Sequence, residues 1–188
     1  MRKTVFLLLI MLFSLTIFAQ DTFEEKIQWI RNHYYRIEGD IAKNNEKKVY
    51  TVECVLLDPD DEYNFFDVYI KDGKIEKLKL VRVPKCVEGN KYKEVITSYY
   101  FYESRFFFMY REISYKDGFY GDPYQRTEER YYIYDDEIIR AIMRTGFPDA
   151  IGKLPQQDMQ DVLNNNNNQG TAILNEGYNA LTFVSERL

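Results

Sequence analysis

The chain has 188 residues, a formal net charge of −5 and 45% hydrophobic residues, and aromatic side chains make up 16% of it. A chain of this length is expected to form one ordinary domain with its own core. Because nucleic acids and anionic membranes attract clustered Lys and Arg, the acidic balance argues against both as partners.

The N-terminus has the pattern of a secretory signal peptide. Arg2 and Lys3 precede an apolar run at 5–18. Ala19 then provides a small residue for cleavage before the acidic Asp21. The apolar run is shorter than the roughly 20 residues that a helix needs to span a bilayer. We therefore expect cleavage after Ala19, export to the periplasm or beyond, and no stable membrane anchor afterwards. Cleavage removes two bases and no acid, which lowers the net charge from −5 to −7.

An amphipathic helix is expected directly after this segment. Asp21 and Thr22 supply capping oxygens, and acidic side chains follow in the first turn. Apolar side chains then recur every three or four residues, which is the period of one helix face. They are Phe23, Ile27, Ile30, Tyr34, Ile37 and Ile41. His33, the single histidine, lies at the edge of this stripe and is interpreted as a structural residue.

A series of β-strands follows, separated by short turns. Asp72-Gly73 lies between two alternating runs and is typical of a type I′ hairpin turn. Glu103-Ser104 and Asp135-Asp136 are expected to join two further hairpins. The predicted strands are 49–57, 62–71, 74–83, 96–102, 105–115, 127–134 and 137–143.

Nearly half of the aromatic side chains lie between residues 97 and 134, which predicts the centre of an antiparallel sheet. Both faces of this region are apolar, so both need cover, and helices from the two ends of the chain are the candidates. Strict alternation assigns Phe106, Phe108 and Tyr110 to one face, and Phe107, Met109 and Ile113 to the other.

The composition shifts beyond residue 150. Pro155 is expected to open a short helix and the Asn run at 164–168 to interrupt it, because Asn favours turns over helix interiors. A last helix is expected from Thr171 to Glu186, with one apolar face. That face carries Leu174, Tyr178, Leu181 and Val184.

The chain therefore divides into a signal peptide at 1–19, a helix-plus-sheet domain at 20–150 and a C-terminal helical segment at 151–188. The expected fold is α+β, with an N-terminal amphipathic helix packed on an antiparallel β-meander of about seven strands, and a C-terminal helix.

The two cysteines, Cys54 and Cys86, raise the question of a disulfide, since an exported protein enters oxidising surroundings. Cys54 lies on the apolar side of the first predicted strand, and Cys86 follows the end of another. A bridge between them and two unpaired buried thiols are weighted equally.

The segment at 116–126 is the candidate recognition loop. Long loops often carry function, and Tyr offers rigid contact area with a polar tip, which suits a protein or glycan ligand. Phe119, Tyr120, Asp122 and Tyr124 are the candidate ligand-binding residues. The alternative is that these rings fold down and cap the end of the sheet.

The residues that most catalytic and metal sites need are missing from the sequence. A zinc site requires several His or Cys ligands, and the chain has one His and two Cys. It has neither the G-x-S-x-G motif of triad hydrolases nor a phosphate-binding glycine loop. The acidic segment at 58–62 is interpreted as a solvated turn, because the Gly and Glu of a calcium-binding EF-hand loop do not follow it.

Two carboxylate pairs remain, at 128–129 and 135–136. A glycosidase needs two acids facing each other across a cleft. Adjacent residues of a strand point to opposite faces, and the second pair lies in a turn. Both pairs are interpreted as solvated acids, and we predict no catalytic residue, no metal and no cofactor.

The order of these features resembles a known layout. A signal peptide precedes the helix pattern Ile-Arg-x-x-Tyr-Tyr-x-Ile at 30–37, and a Tyr-rich meander follows with Glu-Arg-Tyr-Tyr at 129–132. This layout resembles uncharacterised secreted helix-plus-aromatic-β-meander proteins of Bacteroidetes-type bacteria. The resemblance spans residues 23–144 and implies export, and it implies no catalytic residues.

Two functions fit the sequence. The first is a secreted or periplasmic non-catalytic binding module that holds a protein or glycan with exposed Tyr rings. The second is a carrier of small apolar molecules, with a pocket between the helix and a curved sheet. Clustered exposed Tyr rings would favour the binding module, and an internal cavity would favour the carrier. We predict a binding module and not an enzyme.

Overall fold

The structure is a computed structural model that describes residues 21–43, 50–54, 64–149, 154, 160–161 and 167–188. The predicted signal peptide, the acidic turn at 58–62 and the short helix predicted at Pro155 lie outside these residues. Within them, neither helix combines the length and apolarity that crossing a membrane requires.

The described chain forms two helices and eight strands, so the fold is α+β as predicted. The elements are α1 (Phe23–Lys43), β1 (Tyr50–Cys54), β2 (Asn64–Lys71), β3 (Lys74–Glu88), β4 (Lys91–Tyr102), β5 (Arg105–Asp117), β6 (Pro123–Tyr134), β7 (Glu137–Gly146), β8 (Gln160–Asp161) and α2 (Asn167–Ser185). The strands lie in the order β1 to β8, and each pairs antiparallel with its sequence neighbours. This arrangement confirms the meander. Its seven long strands were predicted, and the two-residue β8 was not.

The helices begin where local capping chemistry allows. At the start of α1, Glu25 Oε2 accepts a hydrogen bond from the Thr22 backbone N–H at 2.7 Å, and Thr22 Oγ1 accepts one from the Glu25 N–H at 3.3 Å. This reciprocal capping box satisfies two free N–H groups and holds the pKa of Glu25 below its ordinary value. By contrast, α2 starts at Asn167, earlier than the predicted Thr171, because Asn is tolerated at helix N-termini.

Three tight turns join the hairpins β2–β3, β4–β5 and β6–β7. Both residues of each turn, at 72–73, 103–104 and 135–136, have positive φ angles between 49° and 76°. This pair of left-handed residues is the requirement of a type I′ turn, whose twist matches that of the strands. All three turns were predicted, although only the first contains a glycine.

The three hairpins are structurally equivalent to one another. Each carries a β-bulge close to its turn, next to Tyr69, Tyr100 or Tyr132. Val68 and Tyr131 occupy the same position in their hairpins as Tyr99 does in its own. Val68, Tyr99 and Tyr131 all pack in one core cluster. The sheet is therefore built from three copies of one hairpin pattern.

The bulge in β4–β5 changes the predicted faces of β5. Tyr100 pairs with Phe108 and Phe101 with Phe106, which leaves Phe107 as the extra residue. A bulge places two successive side chains on one side of the strand. Phe107 and Phe108 consequently share one core cluster, whereas Phe106 joins Met109 in the other. The prediction by strict alternation was wrong for Phe106 and Phe107.

One helix packs on each face of the sheet, as the apolar character of both faces predicted. α1 packs against the cluster of Tyr100, Phe107 and Phe108, where its Ile27 and Ile30 are fully buried. α2 packs through apolar side chains, among them Ile173, Ala180 and Val184, on the opposite face. The core thus has two layers with the sheet between them. Below, the two sides of the sheet are called the α1 face and the α2 face.

His33 lies at the edge of the core on the α1 face. Its Nδ1 donates to the Trp29 carbonyl oxygen at 2.9 Å, and its ring lies 4.4 Å from that of Tyr102. The described residues contain no group of three His, Cys, Asp or Glu side chains placed to hold a metal ion. The surroundings of His33 agree with its interpretation as a structural residue.

Candidate functional site

The α1 face of the sheet has an aromatic half and a polar half. The rings near the three tight turns pack on α1: Trp29 lies 5.6 Å from Phe107, and Tyr34 lies 5.1 Å from Phe108, between ring centroids. Farther from the turns, the side chains on the same face of β4–β7 are charged. We call this half the polar floor. It consists of three ion pairs: Glu94–Lys116, Glu112–Arg126 and Glu128–Arg144.

Each ion pair of the polar floor links two neighbouring strands. The N···O distances are 2.8 Å for Glu94–Lys116, 3.1 Å for Glu112–Arg126 and 2.6 Å for Glu128–Arg144. Glu112 and Glu128 stand directly opposite each other in register. Facing like charges destabilise a sheet, so the arginines of the next strands are needed to compensate them.

The structure corrects the interpretation of the pair at 128–129 as solvated acids. The two carboxylates point to opposite faces, as strand geometry predicts, but neither is freely solvated. Glu128 is buried on the α1 face between Arg144 and Arg130. Glu129 lies on the α2 face, 3.4 Å from Arg111.

A pocket with a volume of about 680 Å³ opens between α1 and the sheet, beside the polar floor. Five side chains of α1 line it: Gln28, Ile30, Arg31, Tyr34 and Tyr35. The sheet contributes Phe108, Tyr110, Glu128, Arg130, Tyr132 and Arg144. Three of its side chains are arginines and one is a carboxylate. We call this the α1–sheet pocket. It is open to solvent and partly charged, unlike the enclosed apolar cavity that a lipid carrier would need.

Two tyrosines of the pocket, Tyr34 and Tyr110, have raised pKa values. Burial, followed by the charges of Glu128 and Glu112, raises the pKa of Tyr110. Burial, followed by the charge of Glu38, raises the pKa of Tyr34. Both hydroxyls therefore keep their protons at physiological pH. The pocket combines aromatic surface with neutral and cationic donors.

The predicted recognition loop is shorter than the sequence suggested. β5 continues to Asp117 and β6 begins at Pro123, so the loop comprises 118–122 and not 116–126. The Gly118 N–H donates to the Asn90 carbonyl oxygen at 2.7 Å. A Cβ atom on Gly121 would lie 1.9 Å from the Asp117 carbonyl oxygen, so this position requires glycine. The loop is a tightly built turn.

The four predicted ligand-binding residues have different surroundings. Tyr120 is 95% exposed, while Phe119, at 36%, packs edge-on against Tyr92 with 5.5 Å between centroids. Asp122 is exposed and Tyr124 is partly buried. Part of the alternative is thus realised, because Phe119 folds down onto the sheet. Tyr120 remains a projecting ring.

The loop and the pocket lie on the same face of the sheet. Tyr92, which supports Phe119, is the register partner of Lys116 in the polar floor. Tyr110 of the pocket lies on β5 at the other end of that floor, and alternation along the strand keeps it on the same face as Lys116. At about 3.3 Å per residue, the two ends are roughly 20 Å apart. The candidate site therefore runs from the α1–sheet pocket across the polar floor to Tyr120.

A second pocket of about 580 Å³ lies at the edge formed by the tight turns. Trp29, Tyr102 and Tyr134 line it together with acidic turn residues. Tyr134 donates to Asp21 Oδ2 at 2.5 Å, a bond that raises the pKa of Tyr134 to about 12. These rings pack on one another and hold the start of α1, which is a structural role.

On the α2 face, a polar network fixes the second helix. Arg111 Nη2 donates to both carboxylate oxygens of Glu176 at 2.6 Å, and the Tyr99 hydroxyl donates to Glu176 Oε1 at 2.7 Å. Arg111 also lies near Glu129. Each of these groups holds another in place, so we interpret the network as a structural link between α2 and the sheet.

The structure describes the thiol of Cys86. The Cys86 thiol is free and exposed, and its Sγ lies 3.1 Å from the Gly89 carbonyl oxygen. Cys54 belongs to β1 and Cys86 to β3, with β2 between them. The structure shows a free Cys86 thiol, but an exposed one, whereas the alternative to a bridge was a pair of buried thiols.

Sequence reasoning did not identify Arg31, Arg130 and Arg144 as site residues. The residues of the pocket come from α1, β5, β6 and β7 and meet only through the fold. The one local signal was the alternation of Glu128, Arg130 and Tyr132 along β6, which places charged and aromatic side chains on one face.

Comparisons of the chain with protein-family models, with curated proteins and with solved structures give no significant match.

Proposed function

We propose that the protein is an exported, non-catalytic binding module whose recognition surface runs from the α1–sheet pocket across the polar floor to Tyr120. The observation that carries this proposal is the combination of exposed tyrosine rings with a charged, solvent-open pocket on one face. Tyr35 is 67% exposed at the pocket end and Tyr120 is 95% exposed at the loop end. Exposed rings of this kind are typical of recognition surfaces.

The polar floor favours a hydroxyl-rich ligand, and among the two ligand classes predicted it favours a glycan. Carboxylates and basic groups alternate across β4–β7, so the floor offers acceptors and donors side by side. A sugar hydroxyl both donates and accepts, and the apolar face of a sugar ring can stack on tyrosine. A protein partner would bring apolar side chains, for which a charged floor offers no matching surface.

The carrier alternative receives less support. The volume of about 680 Å³ is within the range of small-molecule pockets. An apolar ligand there would cover Arg31 and Arg130 without replacing the hydrogen bonds that their free N–H groups make with water, and that desolvation opposes binding.

Binding to an array of immobilised oligosaccharides tests the proposal. We expect the exported chain to bind a subset of them, and Tyr35→Ala to weaken that binding about tenfold or more, as the loss of an aromatic anchor does. Leu188→Ala is the control, because Leu188 is exposed at the end of the chain beyond α2. Absence of binding to every oligosaccharide, or equal binding by Tyr35→Ala, would contradict the proposal.

Export is tested separately by the intact mass of the protein recovered outside the cytoplasm. The apolar run at 5–18 and Ala19 support cleavage after Ala19. We expect the mass of a chain that begins at Gln20. A membrane-embedded species that retains residues 1–19 would show that this segment is a membrane anchor and not a cleaved signal peptide.

A further inference from the structure

Resting on the proposed function, we infer that this surface selects acidic sugars, and that Arg31 and Arg130 of the α1–sheet pocket bind the ligand's carboxylate. The pocket contains three arginines and a single carboxylate, that of Glu128. Glu128 is already bound by Arg144 at 2.6 Å, so the pocket keeps an excess of positive charge. The net charge of the whole chain is −5, so the charge of the pocket is opposite in sign to that of the chain.

The three arginines differ in how far their hydrogen-bonding capacity is used. Both the Nε and the Nη2 of Arg144 donate to Glu128, at 2.8 and 2.6 Å. Arg130 makes one long hydrogen bond of 3.4 Å to the same carboxylate. Arg31 is exposed and has no ion-pair partner among the described residues. Arg144 is therefore structural, and Arg31 and Arg130 have N–H groups left for a ligand.

The positions of Arg31 and Arg130 suit a carboxylate on a ring. Arg31 comes from α1 on one side of the pocket and Arg130 from β6 on the other. Arg130 also lies 5.9 Å from the centre of the Tyr110 ring. A guanidinium group binds a planar carboxylate through two parallel hydrogen bonds. Tyr35 is the exposed tyrosine of the pocket, so a sugar ring stacked on it lies in the same cavity as both arginines.

An acidic sugar fits this pocket better than an acidic peptide does. A peptide commonly binds a sheet by adding a strand to its edge, where free backbone groups are available. The α1–sheet pocket lies on the face of β5–β7, where the backbone groups already pair within the sheet. Recognition there depends on side chains alone. Sugar hydroxyls can use the alternating charges of the polar floor, and the carboxylate can use the two free arginines.

The experiment compares each acidic oligosaccharide with its carboxyl-reduced form. The probes are uronic-acid and sialic-acid oligosaccharides, the same molecules after reduction of the carboxyl group to an alcohol, and a polyglutamate peptide of equal charge. Titration calorimetry with the exported chain measures each affinity. We expect the acidic form to bind about tenfold or more tightly than the reduced form, and polyglutamate to bind no better than the reduced form.

Arginine variants locate the contact. Arg31→Gln should reduce the preference for the acidic form to near unity. Because Arg31 is exposed, this variant should fold as the parent does, which thermal unfolding checks. Arg130→Gln should act in the same direction. Arg105→Gln is the matched control, since Arg105 is also an exposed arginine but lies at the tight turn of β4–β5, outside the pocket.

The outcomes separate this inference from the proposed function. Equal binding of acidic and reduced forms, with Arg31→Gln unchanged, would overturn the inference and leave a binding module for neutral glycans. Stronger binding of polyglutamate than of any oligosaccharide would overturn it in favour of an acidic peptide. If none of the probes bound, the result would contradict the proposed function itself.

Discussion

At the scale of single residues, Phe119 and Tyr120 are neighbours with opposite surroundings. Phe119 rests on Tyr92, whereas Tyr120 is 95% exposed and packs against Phe119 with 4.8 Å between ring centroids. We therefore expect Tyr120 to contribute little to folding, and it extends the proposed recognition surface. This combination is what distinguishes a binding residue from a core residue.

Tyr120→Ala should change the free energy of unfolding by no more than about 0.5 kcal/mol, as for most exposed side chains. Phe119→Ala should cost more, about 1 kcal/mol, because it removes an aromatic contact with Tyr92. Chemical denaturation of both variants measures the difference. If Tyr120→Ala lowered the free energy of unfolding by more than about 2 kcal/mol, the loop would have a structural role and not a binding role.

The residues that sequence reasoning misplaced are those whose surroundings depend on register. The faces of Phe106 and Phe107 follow from a bulge opposite Tyr100 and Phe101, and alternation within β5 does not reveal it. The burial of Glu128 depends on Arg144 in the next strand. Tyr120 lies in an exposed turn, and Gly118 and Gly121 are local signals of that turn in the sequence. Its role in binding stays a prediction.

At the scale of elements, both helices depend on the sheet for stability, since most helical stability in proteins comes from packing. α1 buries Ile30 completely against the aromatic half of the α1 face. Its capping signals and apolar stripe were readable from the sequence because both are local. α2 begins at Asn167, within the Asn run that predicts a break, and so it starts earlier than the predicted Thr171.

Ile30→Ala should lower the free energy of unfolding by about 2 to 5 kcal/mol, because it leaves a cavity between α1 and the sheet. Gln28→Ala, at an exposed position of the same helix, is the control and should change it little. Denaturant titration measures both. A loss below about 0.5 kcal/mol for Ile30→Ala would mean that α1 is peripheral to the core.

Two helical glycines form a matched pair that tests how closely α2 approaches the sheet. A Cβ on Gly177 would lie 2.3 Å from the Phe106 ring, whereas nothing lies within 4 Å of a Cβ on Gly39 in α1. Alanine favours a helix over glycine by up to about 1 kcal/mol. Gly39→Ala should therefore stabilise the protein. Gly177→Ala should destabilise it by about 1 kcal/mol or more, because overpacking outweighs that gain. Thermal unfolding compares them, and stabilisation by Gly177→Ala would show that α2 packs less closely.

At the scale of the whole molecule, the sheet buries tyrosine hydroxyls on both faces. Tyr99 faces α2, while Tyr100 and Tyr110 face α1. Burial is the first cause that raises the pKa of each of the three, and nearby glutamates add to it. The α+β class and the packing of one helix on each face of the sheet were predictable from composition and periodicity. The pairing of these hydroxyls with Glu38 and Glu176 was not, because those partners are distant in sequence.

The protein should lose stability as the pH rises above about 10, the ordinary pKa of tyrosine. Above that pH the unfolded chain releases these protons while the folded chain retains them. The unfolded state then binds fewer protons, so the free energy of unfolding falls with pH. Each such tyrosine contributes a slope of about 1.4 kcal/mol per pH unit.

Chemical denaturation between about pH 8 and pH 11 measures this slope. Tyr100→Phe should make it shallower, because this variant lacks one of the buried hydroxyls whose pKa is raised. If tyrosinate absorbance showed every tyrosine ionised before the protein unfolds, the prediction would be wrong.

The meander of equivalent hairpins also bears on how the chain folds. Each described strand pairs with its sequence neighbours, so the sheet has low contact order for a β-rich protein. The pairings from β2 to β7 close loops of two to five residues. Contacts of high sequence separation, such as Tyr99 with Glu176, belong to the helices. We therefore expect the hairpins to form first, each nucleated by its own type I′ turn, and the helices of the two chain ends to dock last.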